Sequence, residues 1–510
     1  MKTDAVVLGA GIVGICIALH LQKRGRSVVL VDRRGAAEET SFGNAGLIQR
    51  EGVYPYGFPH DFGALLRYGF NRTIDAYYHP SALPRLAPFL WKYWHYSRPA
   101  RHAEVAKVYS KLIEHCVTEH EALAVEAGAT GLLRRTGWMK IFRTEREFAR
   151  RREEAERWKR EFGIAFRVHS RAELQELEPH VAPVLVGALH WTDPVAVFDP
   201  QGLCLAYLQH FQKLGGTFAQ GNAASLEADG AGWKVKTAQG PVQASAAVIA
   251  LGPWADVLTR ALGYDLPLAV KRGYHMHYRA AGEAKLNHPM LDTERGYFLA
   301  PMRRGIRLTT GAEFAHRDAI RTPVQLGRAE PIARDLFPLA ERLDTEAWMG
   351  ARPCTPDMLP IIGAALHRGH AFFSPDHLGG LGHSHSRFCT CSRNCSTTLL
   401  SSSPIRVSST SFDLAHSVLD SRLSSCARKS SRRPTAPPCP ISARACWTCA
   451  ASRSSSSRMS ALAAIRIASW CSRSESKRAD ADSNTATCSA SRAFTASGLR
   501  PGLLSARAVS

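Results

Sequence analysis

The chain has 510 residues and a formal net charge of +21, from 65 Lys and Arg against 44 Asp and Glu. This length allows two or three domains, and the sequence has no run of 18 apolar residues of the kind that spans a membrane. The charge is unevenly placed, because residues 391–510 carry +12 of it together with 8 of the 13 Cys. Residues 1–390, the body, and residues 391–510, the tail, therefore need separate interpretations.

The first predicted strand begins almost at the start of the chain. Residues 5–8 are a short apolar run, which is typical of a buried parallel strand. Only Met1, Lys2, Thr3 and one Asp precede this run, so we expect no signal peptide. A cytoplasmic, reducing compartment follows from that expectation.

A glycine-rich turn follows the strand. Gly9, Gly11 and Gly14 have the GxGxxG spacing, residues 15–24 have helical periodicity, and a second apolar run ends at Asp32. This order predicts a dinucleotide-binding fingerprint. Gly9 would permit the tight turn, Gly11 the approach of a pyrophosphate and Gly14 close helix packing, while Asp32 would accept hydrogen bonds from a ribose. The alternative is an ordinary βαβ unit with a glycine-rich turn.

The next segment, residues 39–48, is rich in small and hydroxyl side chains. Such residues suit a loop that lies against phosphate and an aromatic ring. The alternative is a plain surface loop, and the segment alone does not favour either interpretation.

Residues 51–100 are rich in Tyr, Phe, Trp, Pro and His. Within them, residues 83–96 combine aromatic side chains with Arg85 and Lys92, so this stretch could lie in a membrane interface. The favoured alternative is a helix packed over the active site.

The middle of the chain predicts a mixture of helices and strands. Residues 102–127 and 145–163 are predicted helices, and Arg and Glu at i,i+4 spacing in the second indicate a solvated face. Residues 131–142 have strand character, and Ser170 is a predicted helix cap.

Further strands predict a second domain. Residues 242–251 are typical of a buried parallel strand, whereas residues 266–278 and 296–310 alternate in polarity and break at turns. The alternating stretches predict an antiparallel sheet, which we assign to a separate, substrate-binding domain.

Four polar residues of this sheet are candidates for function. Tyr274 and Tyr297 could contact substrate, although a strand tyrosine more often belongs to the core. His275 and His277 share one strand face at i,i+2 spacing. A metal would need further ligands and the neighbouring sequence suggests none, so we expect no metal and a structural or pocket-lining role.

The opening motifs together resemble a known family, the D-amino-acid oxidase/dehydrogenase family of FAD enzymes, and in particular the bacterial D-amino acid dehydrogenase small-subunit group. The resemblance covers about residues 3–380. It implies an α/β (α+β) fold with a Rossmann-like FAD-binding domain and a second antiparallel-sheet substrate domain. The FAD contacts that it implies are Gly9, Gly11, Ile12, Val13, Gly14, Asp32, Arg33, Thr40, Ser41, Asn44, Gly46, Leu47, Ala223, Gly252, Trp254, Leu378 and Gly379.

The same resemblance sets the expected domain boundaries. We expect a discontinuous FAD-binding domain near residues 1–50, 185–262 and 340–390. The substrate domain would then comprise residues 51–184 and 263–339, with 391–510 as an aberrant tail.

Residues 348–363 resemble the family segment W-x-G-x-R-P-x-T-P-D-x-x-P-x-I-G. In parts of the family this arginine holds the substrate carboxylate, and the resemblance gives that role to Arg352. A guanidinium is suited to it because it makes two parallel charge-assisted hydrogen bonds to one carboxylate. The alternative is a structural arginine that pairs with Asp357.

The reaction that the resemblance implies is oxidative deamination of a D-amino acid, with hydride transfer to flavin N5. Arg352 would hold the carboxylate and a tyrosine would assist. Electrons would then pass to a quinone or carrier, or to oxygen. A flavin oxidase of secondary amines such as sarcosine or proline derivatives would share every motif. A peripheral contact with the inner face of the membrane stays open as an alternative, and we expect no nucleic-acid partner.

The likeness weakens at residues 372–379. His377, Leu378 and Gly379 resemble the flavin-proximal turn of the family, and His377 is a candidate active-site residue. However, Ser374 and Pro375 stand where the family has Gly-His, and the flavin-side helix that should follow is missing from the sequence pattern.

Three explanations compete for the tail. A shifted reading frame near residues 374–390 best explains abundant Ser, Arg and Cys with two Gly and no Tyr after residue 390. The others are a disordered basic tail and a nucleic-acid-binding arm. Loss of the flavin-side helix could leave an inactive product.

Overall fold

The computed structural model describes residues 1–364 and 371–374. His377, Leu378, Gly379 and the tail lie outside the described residues. The helices are α1 Ile12–Lys23, α2 Phe62–Gly69, α3 Leu83–Tyr96, α4 Pro99–Ile113, α5 Cys116–Glu126, α6 Glu145–Phe162, α7 Arg171–Leu177, α8 Pro200–Lys213, α9 Ala255–Ala261 and α10 Val324–Leu336.

The strands belong to three sheets in this part of the chain. They are β1 Lys2–Leu8, β2 Val28–Asp32, β3 Leu47–Ile48, β4 Ala76–Tyr78, β5 Leu133–Arg134, β6 Trp138–Phe142, β7 Phe166–Ser170, β8 Gly187–Trp191, β9 Val195–Val197, β10 Thr217–Gln220, β11 Glu227–Asp229, β12 Gly232–Thr237, β13 Gly240–Ile249, β14 Ala269–Ala280, β15 Met290–Asp292, β16 Tyr297–Met302, β17 Gly305–Thr309, β18 Ala312–Phe314, β19 Leu339–Arg342, β20 Trp348–Cys354, β21 Ile361–Ala364 and β22 Ala371–Ser374.

The first sheet is the α/β part of the fold. Its strands run in the order β10-β2-β1-β13-β12-β11. The first four are parallel, whereas β12 pairs antiparallel with the first half of β13. The second half of β13 instead pairs parallel with β22. This confirms the prediction of a parallel strand over residues 242–251.

Both faces of that sheet are buried, as expected for parallel strands. Val7 and Leu30 pack with the apolar face of α1, while Val6 and Val29 pack with a separate core beneath Trp233. The nearly continuous apolar sequence of β1 and β2 follows from this two-sided burial.

The second sheet has eleven strands and is centred on β14. β14 pairs antiparallel with β17 and β18 on one edge and with β19 and β20 on the other. Its side chains alternate, so that Met276 and Tyr278 join the core beneath α10. Lys271, His275 and His277 occupy the opposite face. The predicted antiparallel sheet is therefore confirmed, and that opposite face is the one nearest the candidate site.

Two strands fall in an unexpected sheet. β8 and β20 pair within the second sheet, although residues 185–262 and 340–390 were expected in the first domain. β20 joins it because seven of its residues pair with β14. The division into domains stays a prediction.

The helix predictions differ in detail. The helix predicted over residues 102–127 is two helices, α4 and α5, with a break at residues 114–115. Ser170 does cap α7. Its hydroxyl accepts from the Glu173 backbone N–H, and the Glu173 carboxylate accepts from the Ser170 backbone N–H. In the described part of the chain, no helix has both the length and the apolar character of a membrane span.

Candidate flavin and substrate site

The glycine turn after β1 requires its glycines. Gly9 has φ +104°, and a Cβ there would lie 2.4 Å from the Ala250 carbonyl oxygen. A Cβ on Gly14 would lie 1.7 Å from the Gly9 carbonyl oxygen. A Cβ on Gly11 would meet only the Ser41 Oγ, at 3.2 Å. Gly9 and Gly14 are thus needed for the fold, whereas Gly11 leaves bare backbone for a ligand.

The N-terminus of α1 faces the same space. Gly11 is its N-cap and makes no side-chain capping bond, and the first turn carries no acidic residue. The Ile12 N–H donates to Ser41 Oγ at 3.0 Å. Backbone N–H groups and the positive end of the helix dipole are therefore presented to an anion such as a phosphate.

Asp32 ends β2 beside this turn. Its Oδ2 accepts from the Ala10 N–H at 2.7 Å, and its Oδ1 accepts from the Arg34 N–H at 3.0 Å. Burial raises the pKa of the Asp32 carboxyl, while these two backbone donors oppose the shift. The carboxylate is fixed in place at the end of the strand, where the fingerprint predicts a contact with ribose.

A cavity of about 1210 Å³, including the space open to solvent at its mouth, lies against this turn. Eleven of the fifteen described residues predicted to bind cofactor line it. They are Gly9, Gly11, Ile12, Val13, Asp32, Arg33, Thr40, Ser41, Ala223, Gly252 and Trp254. Gly14, Asn44, Gly46 and Leu47 do not line it. Gly14 packs behind the turn. Asn44 and Gly46 follow Thr40 and Ser41 in the next loop, and Leu47 begins β3.

A cation over an aromatic ring forms part of the cavity wall. The Arg33 guanidinium lies 4.6 Å from the Trp254 ring centroid, and its Nη2 lies 2.7 Å from Glu39 Oε1. Asn222 and Val257 also line the cavity but were not predicted. Neither lies in a recognisable motif, and the pairing of β10 and β13 with the first strands brings them there.

The loop over residues 39–46 connects this cavity to the second sheet. The Thr40 hydroxyl donates to the Ala351 carbonyl at 2.6 Å, and a ring nitrogen of His275, Nδ1, lies 3.0 Å from the Gly43 carbonyl oxygen. Arg307 donates to the Asn44 carbonyl. The strand that carries Arg352 is therefore held directly against the loop that lines the cavity.

Arg352 is half-buried and has an unused donor. Its Nη1 atom is buried and has no hydrogen-bond partner among the described residues. Its Nη2 lies so close to Gly273 that a Cβ there would come within 2.1 Å. Burial lowers the pKa of the guanidinium. Asp357 accepts instead from the Leu359 N–H, and no ion pair joins it to Arg352 in the described ranges.

The two candidate tyrosines lie elsewhere. The Tyr274 hydroxyl donates to Glu313 Oε2 at 2.9 Å and accepts from Arg272 and from the Thr322 N–H. Tyr297 is buried in the core of the second sheet, beside the pair of Arg143 with an aspartate of β15. Neither lines the cavity, and the hydroxyl of Tyr274 is already occupied within the protein.

Asp344 lies beside His275 and His277, which the sequence did not indicate. One ligand atom from each of His275, His277 and Asp344 lies within 4.8 Å of the others. However, His277 Nε2 accepts from Arg307 Nε at 3.0 Å, so its Nδ1 carries the proton and donates to Asp344 at 2.7 Å. Burial and the Arg307 charge lower the pKa of His277 to about 4. Both nitrogens are engaged, which favours a structural role.

These features fit a flavin dinucleotide, because the bare backbone at Gly11, the helix N-terminus and Asp32 together suit phosphate and ribose. Residues 4–392 match the family DAO, FAD dependent oxidoreductase.

Curated relatives agree with this match. The chain is 28% identical over 386 residues to a D-amino acid dehydrogenase of Chromohalobacter salexigens, covering 72% of this chain and 91% of that protein. It is 27% identical over 393 residues to a D-amino-acid oxidase of Bradyrhizobium diazoefficiens, covering 74% and 90%.

Among solved structures, the fold resembles glycine oxidase from Geobacillus kaustophilus. The TM-score is 0.56 at 20% identity, and the match covers 78% of this chain and 93% of that one. The chain belongs to the DAO family of FAD-dependent oxidoreductases.

Proposed function

We propose that the protein is a D-amino acid dehydrogenase that deaminates its substrate oxidatively to a 2-oxo acid. The observation that carries the proposal is the Nη1 atom of Arg352, which is buried and has no partner among the described residues. Arg352 lies on the strand that Thr40 ties to the flavin cavity. Relatives with D-amino acid dehydrogenase and oxidase names support the choice of substrate class.

Arg352 is suited to a carboxylate because its Nη1 is shielded from water and has no partner, so an anion would replace the hydrogen bond that this donor lacks. A carboxylate can accept two charge-assisted hydrogen bonds from one guanidinium. The glycine at position 273 of β14 leaves room for the guanidinium, because a Cβ there would lie 2.1 Å from Arg352 Nη2. This arrangement would fix the amino acid at its carboxylate end. Arg352 itself does not line the cavity, but the next residue of its strand, Pro353, does.

Residues around the cavity would hold FAD, with Asp32 at a ribose and the N-terminus of α1 at the pyrophosphate. When bound, FAD supplies the two-electron acceptor of the reaction. The substrate loses the Cα hydrogen as hydride and a proton from its amine to water, and water then hydrolyses the imino acid to the 2-oxo acid and ammonia.

No side-chain base is needed if the amine is neutral when it binds. Orientation by Arg352 and exclusion of water then account for the protein's contribution. His275, on the strand that pairs with the strand of Arg352, supports this view. Burial and the charge of Arg307 hold its pKa well below the usual range, so it is neutral. A neutral ring stacked on Trp348 with centroids 4.6 Å apart supplies shape rather than charge.

We propose a quinone or a carrier as electron acceptor, as the dehydrogenase relatives suggest. Oxygen is the alternative acceptor, in keeping with the oxidase relative. The two acceptors are distinguished by measuring oxygen consumption and the reduction of a soluble quinone with the purified protein. Quinone reduction without oxygen consumption would support the dehydrogenase.

The test is a substrate panel with purified full-length protein. It contains D-amino acids, their L-enantiomers, N-methylglycine and proline, and both 2-oxo acid and ammonia are measured. We expect products from D-amino acids, and a loss of turnover in Arg352→Met but not in the exposed control Arg135→Met. Turnover of secondary amines without any D-amino acid would reject the proposal in favour of an amine oxidase.

A further inference from the structure

Lys271 is a buried cation on the same face of the second sheet as Arg352. It is only 2% exposed, and the two residues are direct partners across the antiparallel strands β14 and β20. Residues paired in this way share one face of a sheet, with Cβ atoms about 4.5–5.5 Å apart. The same face carries His275, whose ring contacts the loop of Gly43. Two cations therefore lie side by side on the face that meets the loop beside the flavin cavity.

The charges of these two cations are not neutralised within the described part of the chain. None of the ion pairs found there includes Lys271 or Arg352. Glu313, on the neighbouring strand β18, lies on the other face and pairs with Arg272 at 2.6 Å. Like charges opposite each other destabilise a sheet, and burial increases the cost of an unpaired charge. An anionic ligand that contacts both cations would offset this cost.

The Lys271 ammonium is held in place but keeps free donors. Its Nζ donates to the Tyr93 hydroxyl at 3.0 Å, and that hydroxyl donates onward to the Tyr56 carbonyl. Nζ also lies 4.1 Å from the centre of the Tyr93 ring and 5.5 Å from that of Phe314. The two rings attract the cation without neutralising it. An ammonium has three N–H donors, so two of them have no partner among the described residues and can bind an anion.

We propose that Lys271 binds a carboxylate in the side chain of the substrate, so that the preferred substrates are dicarboxylic D-amino acids such as D-aspartate and D-glutamate. This inference rests on the proposed function and specifies its substrate class. Arg352 would hold the α-carboxylate and Lys271 the second one, because a short carbon chain joins the two groups just as one strand spacing separates the two cations. D-Alanine would still bind through Arg352, but it would leave the Lys271 charge unneutralised.

The test compares D-glutamate with D-glutamine, which has nearly the same shape but no charge on its side chain. Initial rates give kcat and KM for the full-length wild type, Lys271→Met, Lys271→Arg and the exposed control Lys111→Met. We expect the wild-type KM for D-glutamate to be about tenfold or more below that for D-glutamine, as for one charge-assisted hydrogen bond. Lys271→Met should abolish this difference, whereas Lys271→Arg and the control should retain it.

A binding measurement without turnover completes the test. Titration with glutarate and with butyrate, followed by the visible flavin spectrum, compares a dicarboxylate with a monocarboxylate. We expect the wild type to bind glutarate about tenfold or more tightly than butyrate, and Lys271→Met to bind both equally. Methionine has a similar length and suits an apolar site, so the variant should fold, and its melting temperature verifies this.

Three outcomes would contradict the inference or what it rests on. If the wild type oxidises D-alanine and D-glutamine as efficiently as D-glutamate, the inference fails and the proposed function stands. If Lys271→Met raises the KM of every D-amino acid by the same factor, Lys271 binds the α-carboxylate together with Arg352, and the assigned subsite is wrong. If no D-amino acid is oxidised, the proposed function fails, and the comparison of glutarate with butyrate alone decides whether Lys271 binds a carboxylate.

Discussion

Thr40 and Ala351 are joined by a hydrogen bond of 2.6 Å, from the Thr40 hydroxyl to the Ala351 carbonyl. The neighbouring residue, Ser41, accepts from the Ile12 N–H at the start of α1. Two consecutive hydroxyl residues therefore join the glycine turn to the strand of Arg352. Because of this link, we expect a substitution near the turn to affect substrate binding at Arg352 as well.

Replacing Thr40 by Val should weaken that link. The hydroxyl is lost and the Ala351 carbonyl is left without its partner, which costs about 1–3 kcal/mol. We expect a lower melting temperature and a lower kcat/KM for the amino acid. Thr40→Ser keeps the hydroxyl and should restore both. Equal losses in the Val and Ser variants would show that the methyl group matters and the hydrogen bond does not.

Arg352→Lys should separate carboxylate binding from flavin binding. Lysine keeps the charge but cannot make the paired hydrogen bonds, so the affinity for a carboxylate inhibitor such as benzoate should fall on the order of 100-fold. Perturbation of the visible flavin spectrum on titration with benzoate measures this. Flavin content should stay near that of the control Arg135→Lys. Unchanged benzoate affinity would remove Arg352 from the substrate site.

Gly11→Ala should lower flavin affinity without unfolding the protein. The added methyl meets only Ser41 Oγ, at 3.2 Å, yet it stands where the pyrophosphate approaches the backbone. We expect the dissociation constant for FAD to rise about tenfold or more while the circular dichroism spectrum is retained. Gly131→Ala, which has open space at its Cβ position, is the control. Full FAD occupancy in Gly11→Ala would contradict the assigned phosphate position.

Glu51 should make stability depend on pH. It is buried, and its Oε1 accepts from the Trp138 indole at 2.7 Å and from the Gln49 amide at 2.6 Å. Burial raises its pKa from 4.5 to about 7. Between those values the folded protein holds a proton that the unfolded chain has released, so the contribution of Glu51 to stability falls as pH rises.

Glu51→Gln keeps an acceptor for Trp138 and cannot ionise. We compare the change in the free energy of unfolding that this substitution causes at two pH values. The change at about pH 7.5 should be more stabilising than the change at about pH 5, by on the order of 1–3 kcal/mol. Urea unfolding at both pH values measures this difference. A substitution effect that is the same at both would show that Glu51 does not titrate in this window.

Tyr274→Phe should act on stability and leave catalysis unchanged. The Tyr274 hydroxyl joins Glu313, Arg272 and the Thr322 backbone in a buried network. Its removal leaves these groups short of one partner, at a cost of about 1–3 kcal/mol. We expect a lower melting temperature with kcat and KM close to wild type. A selective fall in kcat at unchanged stability would return Tyr274 to the substrate site.

The features predicted best from the sequence were those formed by residues close together in the chain. The strand, turn, helix and acid at residues 1–32 are consecutive, and backbone atoms leave no room for a Cβ on Gly9, which meets Ala250 just after β13, or on Gly14, which meets Gly9. The antiparallel sheet followed from alternation, because one face of β14 packs on α10 and the other does not.

Side-chain partners far apart in the chain could not be predicted. Asp344 is 67 residues from His277, and Glu51 is 87 residues from Trp138. Such pairs leave no periodicity in the sequence, because the sheet pairing and loop paths that create them are set by the whole fold. The partner of the Tyr274 hydroxyl, Glu313, likewise lies on another strand, 39 residues further along the chain.

The most direct test of the account is anaerobic reduction of the bound flavin by a single D-amino acid. The account predicts that D-alanine bleaches the visible flavin band of the wild-type protein, that L-alanine does not, and that Arg352→Lys needs far more D-alanine for the same bleaching. Bleaching by N-methylglycine but not by any D-amino acid, or bleaching by D-alanine that is unchanged in Arg352→Lys, would contradict it.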